Sequence, residues 1–119
     1  MPVSTLVPAM ASMLAMAIPA HPASELTLAL HDARSATTVT LNCQPPGGTH
    51  PQRARACREL TAADGDFDRL PADSGLCPLI WAPVTATATG HWRERPVLHT
   101  HTYPNRCVAA RDSGHVFEF

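Results

Sequence analysis

Four cysteines in a chain of 119 residues, Cys43, Cys57, Cys77 and Cys107, restrict the possible folds more than any other feature. None stands in the C-x-x-C spacing used by zinc sites and thioredoxin-like redox motifs. In an oxidising compartment they would close two bridges, and three connectivities are open. A chain this short fits one domain. Two cross-links would then supply a large share of its stability.

Export is consistent with the N-terminus. Met10 to Ile18 is an apolar run of secretory h-region length, well short of the roughly 20 residues a membrane span needs. Small residues follow, with candidate cleavage after Ala17, Ala20 or Ala23. The usual positive n-region is missing, because no Lys or Arg precedes Arg34. Residues 1–23 are therefore expected to be a signal peptide cut between 17 and 23, and residues 24–119 the exported domain. Basic and acidic residues nearly balance, nine against ten, and all nine basic residues are Arg. That balance leaves no footprint for nucleic acid or an acidic membrane surface.

Periodicity places the elements. Leu26, Leu28 and Leu30 alternate with Thr27, Ala29 and His31, the mark of a half-buried strand. A polar turn over 31–36 leads to a second strand with Val39, Leu41 and Cys43 on one face. Gln44 to Gly48 breaks the sheet. Thr49 as N-cap and Gln52 at the capping-box position predict a helix from there to about Ala62 or Ala63. Its inner face would carry Cys57 and Leu60, leaving Arg53, Arg55 and Arg58 solvated. A second hairpin is expected from Val84, turning at Thr89-Gly90, with Trp92 opening a return strand that runs to Tyr103. Asn105 to Asp112 reads as a short helix, and Val116 to Phe119 as a closing strand with Phe117 and Phe119 inward. The expectation is an α+β fold: about five antiparallel strands, two short helices and two disulfides.

One stretch does not fit a core. Gly75-Leu76-Cys77-Pro78-Leu79-Ile80-Trp81-Ala82-Pro83 combines a cysteine, two prolines and three bulky apolar residues, and a buried strand with a disulfide is the plainer alternative for it. Pro78 and Pro83 fix φ, withhold an N–H and bias Cys77 and Ala82 toward extended backbone. An extended, cross-linked loop bearing Leu79, Ile80 and Trp81 suits docking better than packing.

The rest of the chain carries no catalytic constellation. There is no G-x-S-x-G elbow and no Gly-rich phosphate loop between strand and helix. Asp64, Asp66, Asp68 and Asp73 lack the Gly and Glu of a calcium loop. His99 and His101 share a strand face, with His91 near the turn, but no third metal ligand follows from the spacing. No metal, cofactor or enzymatic activity is expected. The chain reads as a binder.

Several pieces together resemble the secreted bacterial subtilisin-inhibitor family: Gly48-Thr49-His50-Pro51, Cys77-Pro78-Leu79-Ile80, Trp92, Asn105-Arg106-Cys107 and the terminal Val116-Phe117-Glu118-Phe119. The order and spacing of the four cysteines also follow that family, and the resemblance covers roughly residues 25–119. It implies a small α+β domain that inhibits serine proteases as a poorly turned-over substrate. It implies bridges Cys43–Cys57 and Cys77–Cys107 and a reactive bond Leu79–Ile80. Leu76, Cys77 and Pro78 would then be P4, P3 and P2, Leu79 P1, Ile80 P1′ and Trp81 P2′, with Asn105 supporting the loop. The implied targets are subtilisin-like enzymes, and chymotrypsin-like enzymes share their apolar S1 pocket.

The family also implies a homodimer through one face of the sheet, although Thr27, Ala29 and His31 would make that face polar. The first hairpin is shorter than is usual in the family, which is expected to trim a loop remote from the reactive site. Two other readings stand beside this one. The first is a secreted disulfide-stabilised binding module without inhibitory activity, and the second a small metal-binding protein using His99 and His101.

Overall fold

A computed structural model describes residues 1–13 and 21–119. Part of the apolar run and the positions around Ala17 and Ala20 fall outside the described residues. From Ser24 onward the chain forms β1 (Ser24–His31), β2 (Ala36–Cys43), α1 (Arg53–Ala62), a 3₁₀ turn (Phe67–Arg69), β3 (Val84–Trp92), β4 (Arg95–Tyr103) and α2 (Arg106–Asp112). All pairings are antiparallel, in the order β2-β1-β3-β4.

Alternation decides the faces. Leu26, Leu28 and Leu30 of β1, Val39 and Leu41 of β2, and Val84, Ala86 and Ala88 of β3 all point inward and are buried. The small alanines leave room for the helices on that face. Helix α1 adds Ala56, Cys57 and Leu60, and α2 adds Ala109. Each fully buried leucine contributes about 1.5–3 kcal/mol relative to exposure. Across the outer face run threonines, and Thr85 and Thr102 bring their hydroxyls to 3.0 Å. At the start of β1 the Ser24 hydroxyl donates to Gln44 Oε1 at 2.9 Å and accepts from Arg93 N at 2.8 Å.

Three expectations need correction. Among the described residues the sheet has four strands, not five, because residues 113–117 form turns rather than a strand. Phe117 is still buried there, against Phe67 and Tyr103. The second hairpin does not turn at Thr89-Gly90. Gly90, with φ +129°, lies inside β3 opposite Leu26 of β1, where a Cβ would lie 2.1 Å from Glu25 O and only glycine fits, and Trp92 ends the outgoing strand. The turn falls on Arg93-Glu94, with Arg93 in left-handed backbone. Helix α1 starts at Arg53 with Gln52 as N-cap and no side-chain cap. Thr49 is occupied elsewhere, because its hydroxyl accepts from Thr40 N at 2.9 Å and pins the edge of β2.

Candidate functional site

Residues 70–83 link the 3₁₀ turn to β3 without regular structure. Unstructured connections of such length in a compact domain are usually functional. This one exposes apolar side chains: Leu79 and Leu76 are essentially fully exposed, Trp81 is 76% exposed and Ile80 57%. Side chains of that size and exposure, side by side, mark a contact surface.

The backbone of the loop is held from below by the strand-to-helix junction between β4 and α2. Asn105 caps α2: its Oδ1 accepts from Val108 N at 3.0 Å. That contact fixes the amide orientation, so Nδ2 faces the loop. Nδ2 donates to Pro78 O at 3.1 Å and to Ile80 O at 2.9 Å. One side chain, 7% exposed, thus grips the carbonyls immediately before and after Leu79. The Cys77–Cys107 bridge ties the near side to α2, with Cα atoms 5.7 Å apart. On the far side Ala82 N donates to Pro104 O at 2.8 Å. The other bridge, Cys43–Cys57, joins β2 to α1 and is buried.

Sequence reasoning overlooked several anchors. Asp73 N donates to Arg111 O at 2.8 Å, and Arg111 Nη1 donates to Gly75 O at 3.4 Å. Arg111 stands four residues after Cys107 on α2, one turn from the bridge, and that spacing was the available signal. The tie at Ala82 left no mark in the sequence because it joins two backbone atoms.

The first hairpin turn is not remote from this site. Asp32 Oδ1 accepts from Arg34 N and Ser35 N at 2.8 and 2.9 Å, and Oδ2 lies 3.6 Å from Arg106 Nη2. The two backbone donors, and then Arg106, hold the Asp32 carboxyl below its ordinary pKa. Asp32 lines the same cleft as Pro78 and Ile80, so the short turn abuts the underside of the loop.

The histidines considered for metal serve as packing groups. His99 stacks on Phe67 at 5.1 Å, and burial lowers its pKa, while His101 meets Tyr103 edge-on at 4.4 Å. Among the described residues no three His, Cys, Asp or Glu side chains are arranged so that they could hold a metal ion.

The family model for Subtilisin inhibitor-like proteins matches residues 21–105. The chain belongs to that family. Protease inhibitor SIL-V2 of Streptomyces orinoci is 44% identical over 100 residues, covering 79% of this chain and 92% of the relative. Subtilisin inhibitor-like protein 7 of Streptomyces ambofaciens is 42% identical over 107 residues, covering 83% and 98%. Among solved structures, Streptomyces caespitosus sermetstatin, in a crystal structure with Bacillus licheniformis subtilisin, matches with a TM-score of 0.64 and 34% identity, over 81% of this chain and 98% of that one. In this subtilisin inhibitor-like domain the exposed loop and Asn105 fall within the matched residues. The residues from Arg106 to the C-terminus lie beyond them.

Proposed function

We propose that this domain inhibits subtilisin-like serine proteases, presenting Leu79–Ile80 as its reactive bond. It is an inhibitor and not an enzyme. The observation that carries the reading is the Asn105 amide holding both carbonyls that flank an outward-pointing Leu79. A protease binds its substrate extended, through main-chain hydrogen bonds and side-chain pockets. A free peptide loses about 0.5–1.5 kcal/mol per side chain that must be ordered. Here the prolines, the bridge and Asn105 have removed that freedom beforehand.

The chemistry follows from the same ties. The protease serine Oγ adds to the Leu79 carbonyl carbon, the Leu79–Ile80 C–N bond breaks, and the protease histidine passes the proton to the Ile80 amine. Leu79 remains as the acyl-enzyme. Ile80 stays beside it, held through its carbonyl by Asn105 and through Ala82 by Pro104. The amine can attack the ester and restore the peptide before water does. Leu76 as P4, Pro78 as P2 and Trp81 as P2′ complete the contact, and chymotrypsin-like enzymes with apolar S1 pockets are further targets.

Export fits two disulfides and a signal segment within 1–23, so mature material should begin between residues 18 and 24. N-terminal sequencing reads this directly. A homodimer through the outer sheet face is also proposed, supported by the exposed Leu98, and sedimentation of the mature domain tests it. The central test is inhibition of a panel of serine proteases, followed by sequencing of inhibitor recovered from the complex. Subtilisin left active, or a cut elsewhere than 79–80, would overturn the reading.

A further inference from the structure

We propose that His115 is a positioning residue of the reactive loop, bridging Asp73 at the root of the loop to Glu118 in the C-terminal tail, and that this bridge makes the loop's resistance to cleavage depend on pH. The inference rests on the inhibitory reading above and adds a control in which two of the three residues, His115 and Glu118, lie beyond the family match. Gly114 and His115 both adopt left-handed backbone, with φ +61° and +67°. That conformation is unusual for a residue with a Cβ. It folds the tail back after α2, and His115 N donates to Ala110 O at 2.8 Å. The imidazole then reaches across 42 residues of sequence to the loop stem. Nε2 lies 2.7 Å from Asp73 Oδ2, and Nδ1 contacts Glu118 Oε2.

Both ring nitrogens therefore face carboxylates. Only the imidazolium carries an N–H on each, and the neutral ring would turn a lone pair toward one acid. Of the other charged groups, Arg55 of α1 acts on the ring, Arg106 and Arg111 of α2 line the same cleft, and Glu59 of α1 lies beside the neighbouring Gly114. Arg55 Nη2 is 3.8 Å from Asp73 Oδ2 and shares that carboxylate. The hydrogen bonds that the ring donates to Asp73 and then to Glu118 outweigh partial burial and Arg55, and raise His115 above its ordinary 6.5. The hydrogen bond from His115 and then that from Ser74 N lower Asp73 below 3.8. The His115–Asp73 contact is thus an ion pair between those two limits. It is lost at the acid end as pH falls through the lowered value of Asp73. At the alkaline end it is lost as pH rises through the raised value of His115.

Opening it leaves the Asp73 side chain, at the position where the loop leaves the domain, with the longer Arg55 contact and its own Ser74 N bond but without the tie to the C-terminal tail. The Asp73 N–Arg111 O bond and the Cys77–Cys107 bridge remain, so binding persists while the loop loosens. Subtilisin should then hydrolyse the loop faster.

The test compares native protein, His115→Gln and Asp73→Asn. The rate at which subtilisin hydrolyses Leu79–Ile80 within the complex is measured at pH 6 and pH 9, each as the ratio of variant to native. This ratio cancels the protease's own pH dependence. At pH 6 both variants should be cut roughly two- to fivefold faster than native, the scale of a partly exposed ion pair. At pH 9 the His115→Gln ratio should fall to near one. NMR titration of the native imidazole should give a midpoint above 6.5 that drops in Asp73→Asn, which needs no His115 variant to fold. Equal ratios at both pH values, or a native midpoint at or below 6.5, would overturn the role of His115 while inhibition stands. Absence of inhibition by native protein at pH 6 would overturn the inhibitory reading and this inference together.

Discussion

Leu79 and Asn105 divide the proposed site between specificity and rigidity, so each can be tested alone. Leu79 touches little of its own protein, and replacing it should leave the scaffold intact. Trypsin places a carboxylate at the base of its S1 pocket, and a leucine there would leave that charge buried without a partner. Leu79→Lys should strengthen trypsin inhibition on the order of a hundredfold, equivalent to a few kcal/mol of pairing. Inhibition of subtilisin should weaken by about tenfold as apolar burial is lost. Inhibition constants for both enzymes decide it, and no change in either would remove Leu79 from P1. Asn105→Asp separates the two jobs of Asn105. Aspartate caps α2 as well as asparagine does, but offers no donor to Pro78 O and Ile80 O. We expect a small change in melting temperature and a clear rise in hydrolysis of the bound loop. Asn105→Ala should lower both stability and resistance, losing about 1 kcal/mol for the cap alone. Leu79 and Asn105 could be picked out because short motifs around them resemble a known family. His115 could not, since its partner lies 42 residues away and its orientation depends on a left-handed φ that sequence does not display.

At the scale of elements, the strands were readable because alternation is a local signal, and α2 was read as the short helix from Asn105 to Asp112. The errors arose where tertiary contacts overrode local preference. Thr89-Gly90 has turn chemistry, yet pairing of β3 with β1 over 85–91 carries the strand through it. Val116 to Phe119 alternates like a strand, but its backbone turns and Phe117 packs among aromatic rings instead. The two bridges also differ in kind. In the chain-entropy model, closures of 14 and 30 residues each contribute about 3–4 kcal/mol. Only Cys77–Cys107 ends on the loop. Cys77→Ser with Cys107→Ser should yield a weaker inhibitor that is cleaved as a substrate. Cys43→Ala with Cys57→Ala should lower the melting temperature comparably while the folded fraction resists cleavage. Equal cleavage of both double variants, measured below their melting temperatures, would mean that the second bridge has no special hold on the loop.

For the molecule as a whole, pH stability should be set by the buried His50 as well as by His115. His50 is fully buried, with Nε2 donating to Val116 O at 2.7 Å and Nδ1 accepting from Gln52 N at 2.9 Å. This pattern suits the neutral ring, and burial lowers its pKa below 6.5. Above pH 6.5 His50 contributes no pH dependence. As pH falls below 6.5 the unfolded chain takes up a proton that the folded chain refuses, so stability declines. His115 has the opposite sign, stabilising at low pH and fading as pH rises through its raised value. Melting temperatures across pH should show an acid limb that His50→Gln flattens, and an acid limb unchanged in that variant would exclude His50 as its source. The sheet order has a further consequence for the cut inhibitor. Scission at 79–80 leaves β1, β2 and α1 in one half and β3, β4 and α2 in the other, so it passes through no element of the fold. The seam between the halves is the central β1–β3 pairing, and Cys77–Cys107 laces across it. The nicked protein is therefore a self-complementing two-piece molecule in which new amine and new carboxylate stay neighbours at high effective concentration. Fragments 24–79 and 80–119, refolded together under oxidising conditions, should assemble, and catalytic subtilisin should ligate them to an intact chain visible by mass spectrometry. Fragments that remain separate would show that the seam cannot hold without the peptide bond.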